Sequence, residues 1–196
     1  MLTSLELPDA TLIVASVEDP PAFAAVFDRH WTGIHRYCVS RAPSVGEDLA
    51  AETFRVAFDR RAKYDDRYAD ARPWLYGIAT NLASRRWRGE RRRLRAYGRS
   101  GAERWVALDD DDVVARVDGS ALRARLARAL TEMRPRERDA LLLYALADLS
   151  YEEIALALEI PTGTVGTWLH RAREIARREL TAETAPTAVS GGGSSG

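Results

Sequence analysis

This 196-residue chain is predicted to be all-α, with two small helical domains joined by an acidic linker. Three observations predict that class. Apolar residues recur at helical rather than alternating spacing through most of the first hundred positions and again after residue 120. Between 98 and 120 the period lapses, and Asp109, Asp110, Asp111 and Asp112 stand in a row. From Leu149 to Leu180 two amphipathic segments flank a three-residue break, the pattern of a helix-turn-helix.

The composition narrows the function classes. A hydrophobic content of 46% is ordinary for a globular protein. No apolar run approaches a membrane span and no charged-then-apolar leader is present, so no membrane partner is expected and the cytoplasm is the expected compartment. The single cysteine, Cys38, has no disulfide partner, and no spacing resembles a zinc site. His35 shares a helix face with Cys38, and His30 is near, yet a packed thiol beside partly exposed imidazoles is the expectation. A phosphate-cradling Gly-Lys loop and a nucleophile with its base are also missing from the sequence. The chain is thus expected to have no catalytic residue, no metal and no cofactor.

Its formal charge of zero conceals sorting along the chain. Lys plus Arg against Asp plus Glu number 16 and 13 in residues 1 to 97, 3 and 6 in 98 to 120, and 10 and 10 in 121 to 196. Residues 85 to 99 alone hold eight Arg against Glu90, a local field that suits a polyanion.

Taken in order, Asp9 is a candidate cap for a short helix through Leu12, Ile13 and Val17, although Thr11, Ile13 and Val14 favour a strand by propensity. A long helix follows Pro21, carries Val26, Phe27, Ile34, Tyr37 and Cys38 inward, and is expected to bend at Gly33. Ala42, Pro43 and Ser44 end it. The next helix begins at Val45 or Gly46, with Leu49, Ala50, Thr53, Phe54 and Ala57 on one face and the acids Glu47 and Asp48 at its N-terminus. A polar loop with Tyr64, Arg67 and Tyr68 leads to Pro73, well placed as a first helical residue. Trp74, Leu75, Ile78, Ala79 and Leu82 form the buried face of that third helix, which turns basic after Asn81.

Beyond the linker, Leu122, Leu126, Ala129, Leu130 and Met133 predict one helix, and Pro135 opens another through Leu146. Ser150 and Glu153 have the spacing of a capping box. Ile154, Ala155 and Leu158 follow at helical spacing, and Glu159, Ile160 and Pro161 make the turn. Thr162 caps a second helix whose stripe is Val165, Leu169, Ala172, Ala176 and Leu180, with His170, Arg171, Arg173, Arg177 and Arg178 largely off it. A cationic second helix is what enters the DNA major groove, although a plain helical hairpin with a solvated basic face has the same spacing. Residues 181 to 196 are Ala, Thr, Ser and Gly rich, a disordered tail whose terminal Gly/Ser run is either native or an appended linker.

Particular residues go further than spacing. Leu149 through Ala155, then Ile160, Pro161, Gly163, Thr164 and Val165, then Leu169 through Arg173 closely resemble region 4 of extracytoplasmic-function (ECF) sigma factors, group 4 of the sigma-70 family. Trp74, Leu75, Tyr76, Ile78, Ala79, Asn81, Leu82, Arg88 and Arg91 through Arg93 resemble regions 2.3 and 2.4 of the same family, and Glu47, Asp48, Leu49, Glu52, Thr53 and Phe54 resemble region 2.2. The resemblance implies region 2 over 1–97, a linker over 98–120, and region 4 over 121–180. It implies core RNA polymerase and promoter DNA as partners, and no turnover of its own.

Under that resemblance Glu47, Asp48, Leu49, Glu52 and Phe54 dock on the clamp helices of the largest polymerase subunit, and region 4 meets the flap of the second-largest. Tyr64, Arg67, Tyr68, Tyr76, Asn81, Arg85, Arg88, Arg91 and Arg92 handle the −10 element. The loop tyrosines suit a pocket for an unstacked base, the Asn81 amide can pair with a base edge, the cluster at Arg88, Arg91 and Arg92 holds phosphates, and Arg85 faces either the bases, changing the preferred sequence, or a phosphate, tightening binding. Thr162, Thr164, Thr167, Trp168, His170, Arg171 and Arg173 meet the −35 element. Asp109 to Asp112 thread the polymerase channel, imitating nucleic acid. The linker, fully extended, spans about 75 to 80 Å, enough for two separated half-sites. An anti-sigma protein is a common further partner in the family.

The sequence departs from the family at Ala51, often Gln; at Arg85, often Asp or Asn; at Glu159, usually Gly; and at Gly166, Thr167 and Trp168, usually Lys, Ser and Arg. A turn needing positive φ would be strained by a side chain at 159. Two rival readings stay open. One is a stand-alone helix-turn-helix regulator, which would bind duplex DNA without polymerase. The other is a protein-interaction adaptor in which Gly166 and Trp168 mark lost −35 reading.

Overall fold

The computed structural model describes residues 7–96 and 119–181, and among them there are eight α-helices, three short 3-10 turns and no strand. The helices are α1 (Asp9–Ala15), α2 (Ala24–Arg41), α3 (Gly46–Arg60), α4 (Arg72–Ala96), α5 (Gly119–Glu132), α6 (Pro135–Leu146), α7 (Tyr151–Leu158) and α8 (Thr162–Thr181). The aspartate run and the tail fall outside the described residues. So does most of the expected linker, and α5 already begins at Gly119.

In the first unit α3 packs on α2 and α4 through Leu49, Ala50, Phe54 and Ala57, the face its period predicts. Thr53 is buried as well, its hydroxyl donating back to the Leu49 carbonyl at 2.7 Å. α2 runs as one continuous helix through Gly33. The glycine serves packing: a Cβ there would lie 2.8 Å from the Tyr76 hydroxyl, so its absence admits that ring against Tyr37, whose hydroxyl meets Thr80 Oγ1 at 2.7 Å. Cys38 is buried beside this cluster, and loss of solvent pushes its thiol up to about 12, the packed thiol the sequence suggests.

The short first segment is helical, as expected, but Asp9 does not cap it. Pro8 precedes the helix and Asp9 turns inward, where it pairs with Arg29, meets His30 Nε2 at 2.7 Å and accepts from the Ala71 amide at 2.9 Å. Burial by itself would raise this carboxyl's pKa. The His30 and Ala71 hydrogen bonds and the charges of His30 and Arg29 outweigh it and hold the group below the usual carboxylate range.

In the second unit α8 lies across α5, α6 and α7. The capping box is formed: Ser150 Oγ accepts from the Glu153 amide at 3.2 Å, and Glu153 Oε2 accepts from the Ser150 amide at 2.7 Å. α7 ends where Glu159 adopts φ 54° and ψ 50°, the left-handed conformation that usually selects glycine. Val165, Leu169 and Ala172 are fully buried on the inner face of α8.

Candidate nucleic-acid interface

Two surfaces gather the expected DNA-facing residues. The first lies along α4 and the loop before it. Asp70 Oδ1 accepts from the Arg72 amide at 2.8 Å and so starts the helix. Tyr64 folds back over the loop, its hydroxyl donating to the carbonyls of Tyr68 at 2.6 Å and Asp70 at 3.2 Å, and its ring meets Trp74 edge to face at 5.0 Å. Burial, then the carboxylates of Asp9, Asp70 and Asp65, push the Tyr64 phenol up, so it remains a donor. The loop thereby becomes one wall of a cavity of ≈ 620 Å³ whose lining includes Tyr64, Tyr68, Trp74, Asn81 and Arg85. Arg55, Arg60 and Lys63 border it too, alongside the acids Glu52, Asp65, Asp70 and Glu159, and Arg55 is paired with Glu52 and Asp59.

Asn81, Arg85 and Arg88 are exposed on the outer face of α4. Arg67 is exposed at the loop tip, where Asp65 pairs with it at 2.6 Å and raises its already high pKa. Arg91 and Arg92 fall on the last turns of α4, past the side chains described. Tyr76 corrects the expectation: it is only 6% exposed and turned toward Gly33 and Tyr37, because residue 76 lies on the α2-facing side of the helix. A similar correction applies on α3, where Leu49 and Phe54 are buried and Phe54 packs on Phe27 at 4.8 Å. Glu47, Asp48 and Glu52 are the members of that set with polar groups toward solvent, and Glu52 is tied to Arg55 by hydrogen bonds of 2.6 and 2.8 Å.

The second surface is the outer face of α8. Thr162, Thr167, His170 and Arg171 are exposed there, with Thr164 and Trp168 half-buried beside them. α8 begins at Thr162 itself, so the threonine opens the helix rather than preceding it. Arg171 lies 3.7 Å from the buried carboxylate of Glu137, and Arg173 reaches inward, donating to the Tyr151 hydroxyl at 3.0 Å with its guanidinium 4.8 Å above the Tyr144 ring. Arg173 therefore braces the helix pair instead of standing free toward a groove. A Cβ at Gly166 would come no nearer than 3.9 Å to the Tyr151 ring, so packing does not require glycine at that position.

Among the described residues, one group of His and acidic side chains comes close enough to hold a metal, Asp9, His30 and Asp70, with ligand atoms within 4.8 Å of one another. Arg29 already occupies the Asp9 carboxylate there. No helix among the described residues is long and apolar enough to cross a membrane.

Comparison with known proteins finds matches to both parts of the chain. The family model for Sigma-70 region 2 matches residues 26–93, and that for Sigma-70, region 4 matches residues 123–175. The ECF RNA polymerase sigma factor SigW of Bacillus subtilis is 29% identical over 170 residues, covering 83% of this chain and 90% of SigW. SigE of Mycolicibacterium smegmatis is 32% identical over 181 residues, 87% of this chain but 66% of SigE, so the chain spans just under two thirds of that relative. SigD of Mycobacterium tuberculosis is 30% identical over 180 residues, with 89% and 84% covered. Among solved structures, CnrH in complex with the cytosolic domain of CnrY superposes with a TM-score of 0.63 at 21% identity, covering 90% of this chain and 99% of that one. The sigma factor RpoE in complex with the anti-sigma factor NepR from Bartonella quintana gives 0.61 at 18% identity, with 83% and 98% covered. At those identities the two structures attest the fold.

Fold and matches together define a sigma factor assembled from regions 2 and 4. More narrowly, the chain belongs to the ECF sigma factors of the sigma-70 family. It acts with core RNA polymerase and promoter DNA in promoter-specific transcription initiation and is not itself an enzyme.

Proposed function

We propose that the chain, working in the cytoplasm, binds core polymerase through the acidic start of α3 and through region 4, reads the −35 element with the outer face of α8, and opens the −10 element at α4. Glu47, Asp48 and Glu52 carry the charge for the clamp helices, with Leu49 and Phe54 fixing the helix from beneath. Thr162, Thr164, Thr167, Trp168, His170 and Arg171 form the −35 surface. There the indole and threonine methyls offer apolar contact to thymine methyls, in place of the cation usual at position 168.

The observation that carries this reading is the cavity bounded by α3, the Tyr64–Tyr68 loop, α4, and Leu156, Ala157 and Glu159 at the end of α7. It is large enough to receive an unstacked base, with the Asn81 amide at its rim and Arg85 and Arg88 continuing outward toward the phosphates. Capturing a base there removes it from the duplex, so reading and strand opening become one event. Asp109 to Asp112 are assigned to the polymerase channel. CnrH and RpoE are each solved with a protein partner, and an anti-sigma protein is proposed as a partner of this chain too.

Reconstituted transcription with core enzyme, followed by sequencing of the promoters used, tests the proposal. The chain should select a defined promoter set, and Asn81→Ala should reduce initiation on it by about tenfold, the loss of one good base-edge contact. Transcription no different from core enzyme alone would reject it.

A further inference from the structure

Residues 64–71, which wall the −10 cavity, form no helix of their own, yet α1 fixes their course from outside. The closing end of this loop is held twice. The Ala10 amide donates to the Ala69 carbonyl at 3.3 Å, and the Ala71 amide donates to Asp9 Oδ2 at 2.9 Å. Ala71 is fully buried, so without that carboxylate its N–H would be left unpaired away from water. At the opening end, Arg61 of the 3-10 turn Arg61–Lys63 donates through Nε to the carbonyl of Ser16, the residue that ends α1, at 3.0 Å. One short helix therefore spans the base of the loop.

α2 aims Asp9 in turn. Arg29 pairs with Oδ1 of the carboxylate, His30 Nε2 meets Oδ2 at 2.7 Å, and Arg29 Nη2 also donates to the Leu7 carbonyl at 3.0 Å. The same carboxylate is felt across the loop: after burial, it is the largest influence raising the Tyr64 phenol, whose hydroxyl stays a donor to the Tyr68 and Asp70 carbonyls. Asp9, Arg29 and His30 lie behind the cavity wall rather than on it. A buried ion pair adds little stability over apolar packing of similar volume. Convergence of these three side chains on the loop backbone is better explained by a need to hold the loop in one register.

We propose that Asp9, aimed by Arg29 and His30, is a positioning residue for −10 reading, a role that rests on reading the cavity as the −10 site. By fixing Ala71 and the backbone between Tyr64 and Asp70, it sets the width of the pocket that takes the unstacked base. A recognition pocket works when its supports hold it within about 0.5 Å of the productive geometry. Loosening the support therefore blurs the choice of base while other contacts keep the strand bound.

The test compares full-length wild type with Asp9→Ala, His30→Ala, His30→Gln and Asn81→Ala, each bound to core polymerase. The probes are the single-stranded −10 segment of a promoter the chain selects and the same strand with each −10 base replaced in turn. The readout is the ratio of matched to substituted affinity at the most discriminating position, a ratio that does not depend on how much of the protein is folded. Wild type should favour the matched strand by about tenfold or more, the range of one good base-edge contact. Asp9→Ala and His30→Ala should reduce the ratio to about threefold or less with affinity for core unchanged, because the loop then tolerates several bases. His30→Gln, whose amide nitrogen can donate to Asp9 in place of Nε2, should restore it. A ratio unchanged in both alanine variants, or lost equally in His30→Gln, overturns the positioning role.

Hydrogen exchange of the free chain reads the loop without DNA. The Ala71 amide should exchange at least about tenfold faster in Asp9→Ala, with the amides of α3 unaltered. Unchanged exchange at Ala71, or equal acceleration throughout α3, also overturns the role. Should Ala71 respond as expected while Asn81→Ala keeps the full ratio, the assignment of the cavity fails and the hold of Asp9 on the loop stands.

Discussion

Arg41 and Asp139 form an ion pair across the two sigma regions, Nη1 to Oδ1 2.6 Å, with both residues more than nine-tenths buried although 98 positions separate them. Neither would be tolerated there alone, because an uncompensated charge in the interior is costly. Arg41→Ala should destabilise the docked arrangement by about 3 kcal/mol, as should Asp139→Ala. The double change Arg41→Met with Asp139→Leu should recover most of it. A double-mutant cycle by urea unfolding checks this, and additive losses would contradict it.

The Asp9 hub predicts an acid limit. Its folded pKa is held below the unfolded value of about 3.9, so its contribution is fully present above that pH and is lost as pH falls through the folded pKa. Urea midpoints measured at pH 6, 4 and 3 should drop for the wild type at the acid end. Asp9→Asn should be weaker at pH 6 and show a smaller further drop.

Glu159 adopts a backbone conformation that disfavours a Cβ. Glu159→Gly should therefore stabilise the chain by about 0.5–1 kcal/mol, the left-handed penalty partly offset by a freer unfolded chain. Thermal unfolding reads the change, and a lower midpoint for the glycine variant would count against the strain.

Ser150→Ala removes an acceptor from the Glu153 amide at the entrance to the helix-turn-helix. About 1 kcal/mol should be lost. Hydrogen exchange should show the amides of α7 opening more readily, with those of α3 unaffected.

These residues also show what the linear sequence could disclose. The capping box of Ser150 and Glu153 and the strained turn at Glu159 were legible because their partners lie within four positions and their geometry follows from local chemistry. The inward stripe of α3, and that of α8 as far as Ala172, were legible from period alone, whereas Leu180 at the end of the expected α8 stripe is exposed. Asp9 was misjudged as a cap because its partners Arg29, His30 and Ala71 are brought together only by folding. Tyr76 resembled a DNA-facing residue by motif, yet the space opposite Gly33 on another helix draws its ring inward. The close approach of Gly77 to Ala157 had no sequence signal beyond a small residue in a helix, and nothing in the sequence marked Arg41, Arg138 and Asp139 as buried.

The role of the α4 cavity is tested by permanganate footprinting of a matched promoter with core polymerase and the purified chain. Unpaired thymines should appear across the −10 element with the wild type, fade by about tenfold with Asn81→Ala, and persist with Tyr76→Phe, whose ring is internal. Strand opening that is unchanged by Asn81→Ala, or absent with the wild type, would contradict the assignment.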